Sequence, residues 1–325
     1  MSKAVAQTFD STPGVSQRIE PRLFALLSPL RVLAMLSIVG YHIGQHEIFG
    51  IGFGLPFLQM VMCALVARRP YPESIRSLLA RKAGRYLWPF AVWSVVYASY
   101  EILLAIRWGM DPFGWFHSAM LVGGAAQHLW FLPFALFSTL VVGLLMHVTC
   151  RMSDESAILL AAGLGVAATI ATRMVLEGTT WGWPFGQWIS SVPTIPFGLA
   201  LGRAAGIGGD DLRRRWLFAL MILGMSPWLV SALQGNDVAE YGRITMALLL
   251  VCVGLSWRVR QDPVSAFIAP LNLGVYAVHV LVATLLIRHV EFARDLGLIQ
   301  KILLVYVLSA LITLVLKRQR NSPIA

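Results

Sequence analysis

Arg31 and His42 are the residues whose types and spacing first suggest chemistry. They lie in Pro29-Leu-Arg31-Val-Leu-Ala-Met-Leu-Ser-Ile-Val-Gly-Tyr-His42, with ten residues between them. In a helix, eleven steps turn through about 1100°, so both side chains point the same way, roughly 16 Å apart along the axis. Arg offers a planar fork that suits phosphate or carboxylate. An imidazole titrates near neutrality and can take a proton from a hydroxyl. Each residue also has a plainer explanation. Arg31 could snorkel to inner headgroups, and His42 could be a packed histidine bonded to a neighbouring helix. Ionisable groups within an apolar helix are costly, however, and are functional suspects by default.

Three further segments carry chemistry-bearing residues. In Arg81-Lys-Ala-Gly-Arg85-Tyr-Leu-Trp-Pro89, either Arg81 with Arg85 or Lys82 with Arg85 shares a helix face, which could hold a phosphorylated cofactor. Positive charge in a cytoplasmic loop would produce the same residues. Gln127-His128-Leu-Trp130 places an imidazole beside an aromatic that could equally be a membrane anchor. Tyr276 and His279, three residues apart in an apolar run, face together and want partners on another helix. His46 stands one turn beyond His42, but only Glu47 is near it in sequence, so no metal is expected. There is no Gly-x-Ser-x-Gly, no Walker loop and no paired carboxylates within an apolar block.

The elements that must position these residues are membrane helices. The 325 residues are 57% hydrophobic and 13% charged, with mean hydropathy +0.70. Soluble chains carry about 25% charge. The apolar residues come in continuous blocks of bilayer-spanning length, which argues against a β-barrel. Ten spans are expected, near 27–44, 48–67, 84–106, 130–149, 156–174, 188–204, 214–233, 241–257, 265–288 and 298–316. The sixth is interrupted by Pro193 and Pro196. With the N-terminus inside, nineteen Lys and Arg fall in inner segments or at inner span ends and six in outer segments or at outer span ends, with Arg31 counted apart in the first span. That asymmetry supports an all-α bundle of ten helices with both termini in the cytoplasm. It also accounts for the net charge of +10 without nucleic acid. The polar stretch 1–23 lacks the apolar core of a secretory signal and reads as a disordered tail. Residues 24–317 form one membrane domain, and 318–325 a second cytoplasmic tail. Cys63, Cys150 and Cys252 read as small buried residues. Trp181, Trp183 and Trp188, in an outer loop, could form an interfacial belt or stack on sugar rings.

Taken together, the four segments resemble the acyltransferase-3 family of integral membrane acyltransferases. Members carry Arg, ten residues, then His in the first helix. A basic segment of the type Arg/Lys-x-x-Arg then runs into Pro before helix three. A Leu-Trp-Phe-Leu segment follows mid-chain, and a Tyr-x-x-His segment near the end. Here these are Arg31 with His42, Lys82 with Arg85 and Pro89, Leu129 to Leu132, and Tyr276 with His279. The order and layout agree over about residues 28–317. Helix two departs: where the family often has a Phe-rich run and Ser-Gly, this chain reads Pro56-Phe-Leu-Gln-Met-Val-Met-Cys63-Ala64, so packing there must differ.

The resemblance implies O-acylation of an extracytoplasmic carbohydrate from cytosolic acyl-CoA, with acetyl the usual group, and a bacterial inner-membrane location. It implies a polysaccharide or glycolipid acceptor, and polysaccharide-synthesis proteins and membrane lipids as partners. Arg81, Lys82 and Arg85 would hold the CoA phosphates, and Arg31 would sit along the pantetheine arm or at the inner mouth. His42 would deprotonate the sugar hydroxyl or carry the acyl group, while His128, Trp130, Tyr276 and His279 would bind acceptor or stabilise charge on the thioester oxygen. Two rivals belong to other classes. One is a sugar or lipid-linked sugar transporter, whose helices also hold polar residues. The other is a non-catalytic membrane subunit of a polysaccharide synthase, which would not need His42.

Overall fold

Inside a bilayer each backbone polar group must be satisfied within its own segment, so continuous apolar blocks become helices. The computed structural model describes residues 25–43, 52–68, 74–234, 239–257, 260 and 262–319. The expected tail at 1–23, most of the tail at 318–325, and His46 with Glu47 lie outside the described residues. No strand occurs among the described residues. Ten principal helices run α1 Leu27–His42, α2 Gly54–Ala67, α3 Ile75–Arg107, α4 Phe131–Val148, α5 Asp154–Gly178, α6 Thr194–Gly206, α7 Asp210–Leu233, α8 Ala239–Ser256, α9 Asn272–His289 and α10 Leu298–Arg318. A 3-10 turn, Gln127–Trp130, leads into α4, and Pro263–Ile268 with a second 3-10 turn leads into α9.

The ten expected spans each meet one of these helices, but among the described residues six helical units have both the length and the apolar content to cross a membrane. These are α3, Gln127–Val148, α5, α7, Pro263–His289 and α10. The others are short. The 16 residues of α1 rise about 24 Å, against roughly 30 Å of hydrocarbon. The shortfall has a structural reason. α1, α2 and α6 lie inside the bundle: α1 packs on α2, α8, α9 and α10, and α2 packs on α1, α4, α6 and α8. All but two residues of α6 are buried. Helix ends inside a protein can be satisfied by protein or by a polar cavity, so these helices need not match the lipid.

Small residues bring the central helices together. A Cβ on Gly198 would stand 2.3 Å from the Cβ of Cys63, and one on Gly202 would stand 2.6 Å from the carbonyl of Ala64. The backbones of α2 and α6 therefore approach to a distance only glycine allows. This is how the chain packs the point where α2 carries Cys63-Ala64. On the other side, a Cβ on Gly54 would stand 2.2 Å from the Ala34 carbonyl, so α1 and α2 also touch closely. Buried polar groups pin the helices: Gln59 Nε2 donates to Ser138 Oγ at 3.0 Å, joining α2 to α4.

α3 needs separate mention because it carries the basic cluster. Ser74 caps it, its Oγ accepting the Ser77 N–H at 3.2 Å. Its buried residues include Lys82, Tyr86, Pro89, Trp93 and Tyr97, spaced by three or four. That stripe is one helix face, and it turns toward α4 and α9.

Candidate active site

α1 sets the axis of the site. Arg31 sits in its first two turns and His42 is its last residue, and each lines a different cavity. The first cavity, about 170 Å³, is lined by Arg31, Lys82 and Arg85, by apolar residues of α2, and by Phe131, Asn272 and Tyr276. The second, about 210 Å³, is lined by His42, Trp130, Trp183, Gln187, Arg243 and Tyr276 among others. Tyr276 lines both. One buried phenol ring, 3% exposed, is therefore a common wall of the two spaces.

The Arg31 cavity gathers cations on an apolar floor. Arg31 Nη2 donates to the Ala269 carbonyl at 3.2 Å, and Asn272 Nδ2 donates to the Arg31 carbonyl at 2.8 Å. The Asn272 Oδ1 accepts from Tyr306 at 3.5 Å, tying α1, α9 and α10 together. Lys82 is only 6% exposed, its ammonium lying 6.0 Å from the centre of the Tyr86 ring. Arg85 lies within Coulombic reach of both Arg31 and Lys317. Lys317, at the end of α10, donates to the Pro270 carbonyl at 2.9 Å. Of the two face pairings compatible with the sequence, Lys82 with Arg85 lines the cavity. Arg81 is exposed and does not.

The His42 end holds three imidazoles. Ring centres of His42 and His128 are 5.8 Å apart, His42 and His279 5.1 Å, and His128 and His279 5.2 Å. His42 is half-buried and faces the cavity, whereas His128 and His279 are 2% and 0% exposed behind it. Tyr276 packs its ring 5.6 Å from that of His128, and its hydroxyl donates to the His128 carbonyl. Trp130 is buried against Phe131 and Phe134 with one face on the cavity. Three imidazoles at these spacings invite comparison with a metal centre. Among the described residues, however, no group of three or more His, Cys, Asp or Glu is arranged to hold an ion.

The backbone of α9 sets the histidines. His279 Nδ1 lies 2.8 Å from the Tyr276 carbonyl and 3.2 Å from that of Val275, on its own helix. His128 Nε2 lies 3.3 Å from the Ala277 carbonyl. The same carbonyl accepts from the Tyr97 hydroxyl at 3.0 Å, and that hydroxyl accepts the Leu281 N–H at 3.0 Å. Tyr97 thus bridges Ala277 and Leu281, the pair a regular helix joins directly. It ties α3 into the helix rung beside which His128 is held.

The site therefore unites His42, Arg31, Lys82, Arg85, His128, Trp130, Tyr276 and His279, all expected from the sequence, and leaves Arg81 aside. It adds Tyr97, Asn272, Lys317, Trp183 and Arg243. Tyr97 lies on the same face as Lys82, Tyr86, Pro89 and Trp93, so helical spacing carried a signal for it. Asn272 is a polar residue within an apolar run, a second such signal. Of the three loop tryptophans, Trp183 lines the His42 cavity, its Nε1 donating to the Gln127 carbonyl at 3.0 Å. Trp188 packs on Phe134 and Phe137, and Trp181 is exposed.

Neither the curated proteins nor the solved structures include a match to this chain. A family model described as an acyltransferase domain matches residues 27–318, which takes in α1 through α10 and every site residue above. The chain, with its apolar helices, belongs to the acyltransferase-3 family of multi-pass membrane acyltransferases.

Proposed function

We propose that this protein moves an acyl group, acetyl in the simplest case, from cytosolic acyl-CoA to a hydroxyl of an extracytoplasmic glycan in a bacterial inner membrane. One observation carries the reading: Tyr276 is wall to a cationic cavity on one side and to the His42 cavity on the other. The positive-inside distribution supports a cytoplasmic Arg31 end, with both termini on that side. Lys82, Arg85 and Lys317 then meet the donor's phosphates at the cytoplasmic mouth, where charge-assisted contacts are strongest for anions. Arg31 lies deeper, and the thioester arm runs along the apolar wall of α2 toward Tyr276.

The acceptor enters from the other side. The His42 cavity offers amides and hydroxyls from Gln127, Gln187, Ser190 and Ser191, and the indoles of Trp130 and Trp183. That mixture suits a sugar, which presents apolar faces and hydrogen-bonding edges. His42 takes the proton of the sugar hydroxyl as its oxygen attacks the thioester carbonyl. The carbon–sulfur bond breaks, and the departing thiolate takes the proton from His42. The products are an ester and free CoA.

Membrane vesicles from expressing cells, carrying their own glycans, test this with labelled acetyl-CoA supplied on the cytoplasmic side. Wild-type protein transfers label to glycan. Removing a general base costs on the order of 10²- to 10⁴-fold, so His42→Ala vesicles should be nearly silent. Wild-type transfer by His42→Ala would refute the mechanism. No transfer from any acyl-CoA by wild-type protein would favour an exporter or a synthase subunit.

A further inference from the structure

Two buried imidazoles behind His42 have their protons fixed by their neighbours. A carbonyl can only accept a hydrogen bond. His128 Nε2 faces the Ala277 carbonyl, so that nitrogen bears the proton and Nδ1 is bare. His279 Nδ1 faces the Tyr276 and Val275 carbonyls, so its Nε2 is bare. Both bare nitrogens are buried and have no hydrogen-bond partner. Buried acceptors without partners are costly, so a pair beside one reactive residue calls for a reason. Neutral rings held this way cannot donate to a thioester oxygen through those nitrogens. They can only accept.

We propose that His128 and His279 share the charge of the imidazolium that His42 becomes when it takes the hydroxyl proton, which rests on the acyl-transfer reading above. The ring N–H of protonated His42 turns its hydrogen toward one of the two lone pairs, and the other stabilises the charge at ring-centre distances of 5.1 to 5.8 Å. The proton stays on His42 until the thiolate takes it, so nothing is consumed. The surroundings explain why such help is needed. Tyr41 lies beside His42 on α1, and Tyr276 approaches from α9. Tyr97 of α3 packs behind His128, and Arg243 of α8 lines the same cavity. No Asp or Glu is among the described residues lining that cavity, and the Arg243 cation opposes a second positive charge. His128 and His279 are therefore positioning residues that act through His42, and Tyr97 steadies the carbonyl that orients His128.

The test is the pH profile of kcat/KM for acetyl-CoA in vesicles, from about pH 5 to 9, where an imidazole titrates. His128→Phe and His279→Phe keep a ring and remove the lone pair. Each should lower the plateau about tenfold or more, the effect of losing one buried hydrogen bond, and move the acidic limb to lower pH. His128→Asn and His279→Gln return an oxygen acceptor near the bare position, and should restore the limb and part of the rate. A reduced plateau with an unmoved limb in the Phe variants means packing alone and overturns the proposal. If a Phe variant fails to fold, the Asn and Gln variants decide: a wild-type limb supports charge sharing and a displaced limb overturns it. Stoichiometric metal in purified wild-type protein would also overturn it. Loss of activity in His42→Ala separates these outcomes from failure of the acyl-transfer reading itself.

Discussion

Tyr276 is the most informative residue to change, because its ring is a common wall of the Arg31 and His42 cavities, the donor and acceptor sites of the proposed reaction. Tyr276→Phe keeps the wall and deletes one buried hydrogen bond to the His128 carbonyl. Such a loss costs about 1–3 kcal/mol. If all of it is felt in holding the histidines for transfer, the rate falls about fivefold to 150-fold, at 1.36 kcal/mol per factor of ten. Tyr276→Ala does something different. It joins spaces of about 170 and 210 Å³ and lets water from the acceptor side reach the thioester. Truncating a buried aromatic to Ala also costs on the order of 3–5 kcal/mol of stability, so folding is checked first by thermal unfolding in detergent. The assay is release of free thiol from acetyl-CoA by purified protein in nanodiscs without any acceptor. Wild-type and Tyr276→Phe protein should release little, Tyr276→Ala should release thiol steadily, and adding His42→Ala should silence it. A folded Tyr276→Ala protein that releases no thiol without acceptor would refute the partition. If that variant does not fold, Tyr276→Leu, which keeps more packing, is read in its place.

Two further predictions concern the donor cavity and the packing beneath it. Lys82→Ala and Arg85→Ala should each raise KM for acetyl-CoA about 10- to 150-fold with less effect on kcat, since a hydrogen bond to a charged group is worth about 1.5–3 kcal/mol, whereas Arg81→Ala should leave KM near wild type. Equal effects at all three positions, measured by initial rates, would contradict the placement of α3. Gly198→Leu and Gly202→Leu push a side chain into Cys63 and Ala64 at distances under 3 Å, and should destabilise the protein by about 1–3 kcal/mol or more, read as a lower unfolding temperature. Leu at Gly163, which has nothing within 4 Å of its Cβ position, serves as the control.

The pairing of Arg31 with His42 was legible because eleven residues make three helical turns, and a helix carries that relation intact into the fold. The convergence of His128, Tyr276 and His279 was legible as a shared need for partners and, through the resemblance, as one outer site, although nothing local says which helices meet. Rotation of α3 was not legible. Arg81 and Lys82 are 100° apart on a helix, and both are compatible with a basic stretch, so packing against α4 and α9 had to choose. Helical spacing could place Tyr97 on the face of Lys82 and Trp93, but its bridging role was hidden: its partners, Ala277 and Leu281, lie 180 or more residues away in sequence and are backbone groups, which leave no mark on side-chain types. Span length was misjudged where hydropathy is weakest as a guide. Apolar content reports burial from water, and the residues of α6 are buried by protein rather than lipid. The first residues of the short, proline-interrupted sixth span expected at 188–204 therefore lie in Phe185–Ser191 and the turn before Thr194.

The short central helices and the two unlike cavities bear on the rival of transport. An exporter moves one cargo past one site, which opens to each side in turn, so both approaches must tolerate the same molecule. Here the two approaches differ in chemistry. The Arg31 cavity combines Arg31, Lys82 and Arg85 with an apolar wall from α2, a lining suited to the proposed phosphorylated thioester. The His42 cavity combines indoles, amides and hydroxyls, a lining suited to the proposed sugar. A single cargo suited to one would meet the wrong groups in the other. Two reactants that meet at Tyr276 need only their reactive ends to share a space, and one ring lines both cavities.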